Sequence, residues 1–516
     1  MKKKLLPALI VTGLIILVVI IMGITALINK YTPTKKTEDL KEYFNISSDD
    51  EAALIVDNEL SDYKAKIIDK KIYVDYKFVH DSLNSRFYWD ANENVLLYTT
   101  ASDIISAAAD SNSYSVTKQT NDFGYPIVKA TSDSALIALD YVKQYSNITF
   151  KSYDDPARVV ITSKWDEIDS ATVSKSTQIR VKGGIKSPIL KEVKKDDKIT
   201  ILDSGDKWDK VATEDGVIGY IKRKALSESK KTKLTNPDYE EETFTHIKKD
   251  KDICLAWNQV TSQSANSKVP QVISSTKGIN VMSPTWFYLN DNNGNLADIA
   301  SKDYVSYCHS QGIEVWGLFS NFENTDVDAA YVLTHTSTRT TLINQIMSAA
   351  FNYELDGVNI DFENITEAAY GDSYIEFIRE LAIKCHNNGI SLSVDVTVPA
   401  SFNKFFNRSD MANFADYIVI MGYDEHYKGS DAGSVSSIPW VTEGVESTLK
   451  EVPADQIILG MPFYTRIWEL TPKEDDDAVT DTEDQSKYTV ASQVYSMDAA
   501  AAQLATNNAT AALDEE

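Results

Sequence analysis

The chain has 516 residues, with 76 Asp and Glu against 51 Lys and Arg, a formal net charge of −25. That length exceeds one small core and calls for about two to four domains. The acidity excludes nucleic acid as the main partner, because phosphate binding needs a basic footprint. Only Cys254, Cys308 and Cys385 occur, so there is no disulfide framework and no CxxC pattern. Cys254 lies in an apolar strand-like run and the other two in helix-like segments, so buried free thiols are expected. Six scattered His show no HExxH spacing, and no nucleotide motif occurs, so neither metal nor cofactor is expected.

The chain begins Met1-Lys2-Lys3-Lys4 and continues as an uncharged run of 24 residues from Leu5 to Ile28. As a helix this run reaches about 36 Å, at ~1.5 Å per residue, enough to cross a ~30 Å hydrocarbon core. A cleavable signal peptide has a shorter apolar core, of ~7–15 residues. Residues 1–30 therefore read as a transmembrane signal anchor at the cell membrane. The Lys cluster faces the cytoplasm and the body is extracellular and faces the wall, although Lys30, Lys35 and Lys36 reduce the asymmetry.

Polar residues 31–45 read as a tether. Residues 46–165 offer two similar units. The first runs from Ile72-Tyr73-Val74 through a helix-like stretch to Phe87-Tyr88-Trp89-Asp90 and Val95-Leu96-Leu97. The second runs from Ile127-Val128 through a longer helix-like stretch to Phe150–Asp154 and Val159-Val160-Ile161. In both, an aromatic-Asp pair precedes the last strand across a turn. This β–α–β–turn–β pattern resembles the small α+β N-terminal domain of copper amine oxidases, which implies a spacer or wall-interaction role without copper or quinone chemistry.

Residues 170–228 contain short strands at Gln178–Val181, Lys198–Leu202, Trp208–Ala212 and Gly219–Ile221. They are separated by Gly183-Gly184, Ser204-Gly205 and Asp215-Gly216, which supply positive-φ turn positions. The wording Arg-Val, Gly-x-x-Trp-x-x-Val, Gly-x-x-Gly-Tyr-Ile resembles the bacterial SH3-like β-barrel, which implies cell-wall peptide as a ligand. Residues 170–233 hold 16 Lys and Arg against 9 Asp and Glu, a basic island suited to an anionic polymer or membrane surface or simply to water. Residues 229–243 read as a linker.

From residue 246 apolar strands alternate with helix-like stretches, the rhythm of a (β/α)₈ TIM barrel. Seven strands are legible: Ile253–Trp257, Ile279–Met282, Glu314–Phe319, Gly357–Glu363, Ser391–Thr397, Tyr417–Tyr423 and Ile457–Pro462. In the fourth, polar and apolar residues alternate, so Asn359, Asp361 and Glu363 share one face and Val358, Ile360 and Phe362 the other. Carboxyls held inside a sheet are costly and point to chemistry.

Strand ends collect further polar and aromatic groups, where such barrels carry their sites. These are Trp257, Asn258 and Gln259; Trp286, Phe287 and Tyr288; Ser320 and Asn321; Asp361, Glu363 and Asn364; Tyr423 and Asp424; and Tyr464, Arg466 and Trp468. Aromatic platforms with carboxylates and amides suit a carbohydrate.

Asp356–Glu363 resembles the Asp-Gly-x-Asp-x-Asp-x-Glu motif of glycoside hydrolase family 18. Met421-Gly422-Tyr423-Asp424 resembles its Met-x-Tyr-Asp strand, and Gly460–Arg466 its Gly-x-Pro-x-Tyr-Gly-Arg strand, with Thr465 for Gly. The wording, with Ser283–Phe287, is closest to the spore-cortex and peptidoglycan N-acetylglucosaminidase branch.

The resemblance implies retaining, substrate-assisted hydrolysis of a β-1,4 bond after N-acetylglucosamine in peptidoglycan. By it, Glu363 is the general acid, Asp361 orients the substrate acetamide, and Tyr423 binds the acetamide oxygen. Asn359, Asp424, Trp286, Tyr464, Arg466 and Trp257 line the substrate site. Proximity on one face is expected to couple Asp361 to Glu363 and keep the latter protonated.

Two departures stand out. Asn359 replaces the first Asp of the motif and cannot share a proton as a carboxyl would. After the seventh strand come an acidic loop, Lys473–Asp484, and an Ala-rich helix candidate, Ala491–Leu513, with no eighth strand and no terminal Trp. Either the chain is a fragment, or it binds glycan without cleaving it; a chitinase or an endoglycosidase on other glycans is the third reading.

Overall fold

The computed structural model describes residues 2–363, 365, 370–473, 485–510 and 512. Asn364, most of the acidic loop and the last residues of the Ala-rich stretch lie outside them. The chain forms two compact units. One is Met1–Ser85, Ala109–Asn112 and Phe123–Glu241; the other is Arg86–Ala108, Ser113–Asp122 and Glu242–Glu516.

In the first unit the helix Lys2–Tyr31 contains one span, Leu9–Tyr31, long and apolar enough to cross a membrane. The region read as a tether is partly ordered: Asp39 caps a short helix, Leu40–Tyr43, by accepting from the Lys41 N–H at 2.8 Å. Phe44 then buries itself against Ile55, Ile179, Val211 and Ile221. A seven-stranded sheet runs in the order Thr149–Tyr153, Arg158–Thr162, Glu51–Val56, Glu59–Ile68, Lys71–Asp75, Ala135–Ala138, Val128–Ala130.

The helix expected directly after Ile127-Val128 is absent there. Thr131 and Ser134 instead close a tight turn (N–H to carbonyl, 3.0 Å) between two strands, and the helix is Leu139–Tyr145. A second, antiparallel sheet runs Ile189–Val193, Thr177–Arg180, Ile218–Lys222, Trp208–Thr213, Lys198–Asp203, Glu167–Thr172, Lys230–Lys233. Its last strand lies in the stretch read as linker, where Lys231 pairs with Asp169 at 3.0 Å. A side chain at Gly219 would meet the Arg180 carbonyl at 2.6 Å, so only glycine fits between those strands.

The second unit is built on seven parallel strands, here β1 (Leu255–Asn258), β2 (Val281–Leu289), β3 (Glu314–Ser320), β4 (Gly357–Asp361), β5 (Ser391–Thr397), β6 (Tyr417–Met421) and β7 (Ile457–Gly460). Neighbours pair in chain order, and among the described residues β1 and β7 share no ladder. Parity follows period two. Met282, Trp286, Val315, Val358, Ile360, Leu392, Val394 and Ile418 face outward into the helix-covered core. Val281, Trp316 and Tyr417, with Leu255 and Ile458 against them, fill the barrel floor. Gly357 is fixed by that floor, since a Cβ there would lie 2.6 Å from the Trp316 ring.

Asp356, the first residue of the motif, is structural: its Oδ2 accepts from the Val315 N–H and from His309 Nε2, each at 2.8 Å. Cys308 and Cys385 are buried as expected, whereas Cys254 is exposed at the start of β1. Beyond β7, the strands β8 (Tyr464–Pro472) and β9 (Tyr488–Ser496) form a hairpin, so Ala491 is in a strand. The helix is Met497–Thr506, capped by Ser496.

This unit also holds a five-stranded antiparallel meander from far upstream: Phe87–Asp90, Val95–Thr99, Ile104–Ala108, Ser113–Val116 and Gln119–Asp122. It covers the helix Gly371–His386, in which 13 of 16 residues are buried, too many for a helix with one face in water. Tyr88 Oη meets Ser373 Oγ at 2.9 Å, and Thr99 Oγ1 donates to Glu376 at 2.8 Å. Arg339, fully buried, donates to Glu380 at 2.8 Å and lies 5.1 Å from the Tyr88 ring centre.

Candidate active site

The inward residues of β4 lie at graded depth. Asn359 is fully buried, Asp361 half-buried, and Glu363, two residues past the strand, is exposed at the mouth. Their outward neighbours anchor the strand: Phe362 stacks on Phe377 at 5.4 Å between ring centres.

Asn359 is the hub of a polar layer. Its Oδ1 accepts from the Trp257 indole at 2.9 Å and from Ser283 Oγ at 3.0 Å, while its Nδ2 donates to Asp395 Oδ1 at 2.8 Å. Asp395, on β5, is 3 % exposed. It was not singled out from the sequence, although Ser391–Thr397 alternates strictly and puts Ser393 and Asp395 on the inward face.

The carboxyls sit in a field of their own sign. Burial, then the charges of Asp395, Glu363 and Glu323, hold Asp361 well above the ordinary carboxyl range. Its Oδ1 is buried and has no hydrogen-bond partner among the described residues. Glu363 is also raised, by burial and then by Asp424 and Glu323. The expected source of that shift, Asp361, is thus replaced by two carboxylates from neighbouring strand ends. The coupling between the pair shows at Asp361, the deeper and less solvated partner. Glu323 is held by Ser320 Oγ at 2.7 Å.

Tyr423 is raised mainly by burial and then by Asp395, Asp361 and Glu363. Its ring meets Trp257 edge-on at 6.2 Å and Tyr464 at 6.0 Å. Asp424, in the left-handed region at φ 60°, accepts from Arg466 Nη2 at 3.0 Å. Burial and a hydrogen bond to Asp424 raise Tyr464.

The structure thus gathers Asn359, Asp361, Glu363, Tyr423, Asp424, Tyr464, Arg466 and Trp257. It does not gather Trp286, which is fully buried on the outer face of β2 with its indole N–H on Asn266 at 2.8 Å and Tyr304 packed edge-on. Parity counted from Ser283 assigns Trp286 to the core. Conversely, Phe322, Phe402, Tyr427 and Phe463 follow strands β3, β5, β6 and β7 and are all exposed. Among the described residues, no group of three or more His, Cys, Asp or Glu is placed to hold a metal ion.

Residues 326–516 match the model of glycosyl hydrolases family 18. The chain is 25% identical over 194 residues to the uncharacterized glycosylase YvbX of Bacillus subtilis, covering 35% of this chain and 55% of that protein. It is 26% identical over 187 residues to the cortical fragment-lytic enzyme of B. subtilis, covering 34% and 43%. The spore cortex-lytic enzyme SleL of Bacillus cereus superposes with a TM-score of 0.42 at 19% identity, over 51% of this chain and 59% of that one. The chain spans about half the length of these two curated relatives.

Proposed function

We propose that the chain carries a family 18 domain and that this domain is a retaining, substrate-assisted hydrolase that cleaves β-1,4 bonds after N-acetylglucosamine in peptidoglycan. The observation that carries this reading is the buried, unpartnered Oδ1 of Asp361, with a carboxyl beside it at the mouth, Glu363, whose pKa is raised by burial and by Asp424 and Glu323. An unpaired buried acceptor is costly until a donor arrives, and an acetamide N–H is such a donor.

In the reaction, Glu363 gives its proton to the leaving glycosidic oxygen, and the acetamide carbonyl oxygen attacks the anomeric carbon. Asp361 accepts the acetamide N–H and offsets the positive charge that develops on the oxazolinium ring. Tyr423 donates to the acetamide oxygen. Glu363, now anionic, takes a proton from the water that opens the ring. Arg466 and Tyr464 hold Asp424, and the exposed rings after β3, β5, β6 and β7 offer apolar platforms for sugar faces.

A wall substrate is supported by the relative named a cortical fragment-lytic enzyme and by the apolar helix Leu9–Tyr31, which as an anchor would keep the body outside the cell membrane. The SH3-like residues 170–228 would then bind cell-wall peptide.

The test is muropeptide analysis of sacculi digested by the full chain. New reducing-end N-acetylglucosamine is expected, with kcat falling about 10²–10⁴-fold in Glu363→Gln. Reducing-end N-acetylmuramic acid, or turnover of chitin oligomers alone, would overturn the substrate. Wall binding without turnover, unchanged in Glu363→Gln, would leave a glycan-binding protein.

A further inference from the structure

We propose that Asp395 is the second carboxyl of this site: it shares one proton with Asp361 and keeps that proton when Asp361 takes the substrate acetamide. The proposal rests on the reading of Asp361 given above and assigns Asp395 as a positioning residue.

The geometry starts from Asn359. An amide there holds no titrating proton, yet its inward neighbour across the sheet is a carboxyl. Register pairs Asn359 with Ser393 and Ile360 with Val394, so the next rung sets Asp361 beside Asp395, on strands about 4.8 Å apart. The amide's orientation is fixed by three partners. Two donors, from Trp257 and Ser283, meet its oxygen, which leaves its N–H for Asp395. The family motif has a carboxyl on the fourth strand; here β4 carries the amide and β5 the carboxyl.

The charges around the pair are of one kind. Glu363 from the same strand, Glu323 from beyond β3, Tyr423 from beyond β6 and Tyr374 from the helix Gly371–His386 are the titratable groups that act on the pair or feel its field. No Lys, Arg or His among the described residues is ion-paired with Asp361 or Asp395. Two uncompensated carboxylates this deep do not both ionise. Burial raises Asp395, Asn359 and Trp257 pull it part-way back, and the charge of Glu363 adds to the rise.

The balance is one proton and one negative charge before and after binding. In the free site the proton is shared. With the acetamide N–H on Asp361, that residue is the anion and Asp395 is neutral.

Three variants of the full chain test this: Asp395→Asn, Asn359→Asp and the exchange carrying both. Each single change is expected to lower kcat about tenfold or more with KM within about threefold. The exchange, which returns the carboxyl to β4, is expected to recover most of the loss from Asp395→Asn. A second readout needs no turnover. Carboxyls raised in the folded state lose stabilisation as pH rises from about 4 towards their folded pKa, so wild-type Tm should fall from pH 5 to 8 and Asp395→Asn should flatten that fall.

Wild-type kcat and an unflattened Tm profile in Asp395→Asn would overturn the proposal, as would an exchange no more active than Asp395→Asn. If the wild type is itself inactive, the hydrolase reading fails and the Tm profile alone decides on Asp395. If the wild type is active and Glu363→Gln is not, a wild-type-like Asp395→Asn removes only the present inference.

Discussion

Depth along β4 sorts its three inward side chains by charge. The deepest, Asn359, is an amide, which costs less to bury than an ion; Asp361 is intermediate, and Glu363 meets solvent. The proposed acid, Glu363, keeps its proton only if its surroundings disfavour ionisation, and burial does so first, followed by Asp424 and Glu323. Neutralising Glu323 should therefore lower the pKa of Glu363. In Glu323→Gln the alkaline limb of the kcat profile is expected to move to lower pH, with the limit at acidic pH unchanged in height. A limb that stays in place or moves to higher pH would contradict this account of the acid. Glu323→Gln leaves Asp361 as well as Glu363 less raised, so the kcat/KM profile of the free site should move in the same direction.

At the scale of elements, the helix Thr336–Tyr353 lacks a side-chain cap of its own, because its N-cap is His335. The meander supplies one from about 240 residues upstream. Asp90 accepts from the Thr336 N–H at 2.7 Å and from its hydroxyl at 2.6 Å, and Glu93 accepts from the Ser337 N–H at 3.0 Å. A carboxylate there satisfies orphan donors and faces the positive end of the helix. Asp90→Ala is expected to destabilise the second unit by about 1–2 kcal/mol, the cost of a lost N-cap, read as a lower denaturation midpoint with an unchanged slope.

That contact explains which elements were legible in sequence. Period-two alternation exposed β4 because one face is solvated chemistry and the other is core. Trp89-Asp90 read only as a turn in a repeat, because nothing local announces a partner helix so far along the chain. Asp395 was missed although its strand alternates, since attention to strand ends passes over a residue one rung below the rim. Trp286 is aromatic like a sugar platform, yet strand parity turns it into the core, beside a register shift between Thr285 and Phe287.

For the whole molecule, β1 and β7 share no ladder among the described residues, which raises the question of what joins them. Side chains do so. Trp257 on β1 reaches Gly460 on β7, where a Cβ would lie 2.9 Å from the indole, and Leu255 and Ile458 both pack against the floor cluster. The glycine of the seventh-strand motif is thus the seat of a ring from the first strand, which the motif alone did not disclose.

The meander has a further consequence, in the traffic of the chain between its two units. Residues that complete the second unit lie upstream of Phe123–Glu241, so the backbone leaves that unit and returns to it. Glu240 and Glu241 are exposed and outside any helix or strand. A Glu-specific protease cutting there should give two bands under denaturing conditions that still co-elute in native gel filtration. Early separation would disprove the interlock. A single nick in this stretch therefore does not shed the second unit: the severed barrel stays clasped by its own meander.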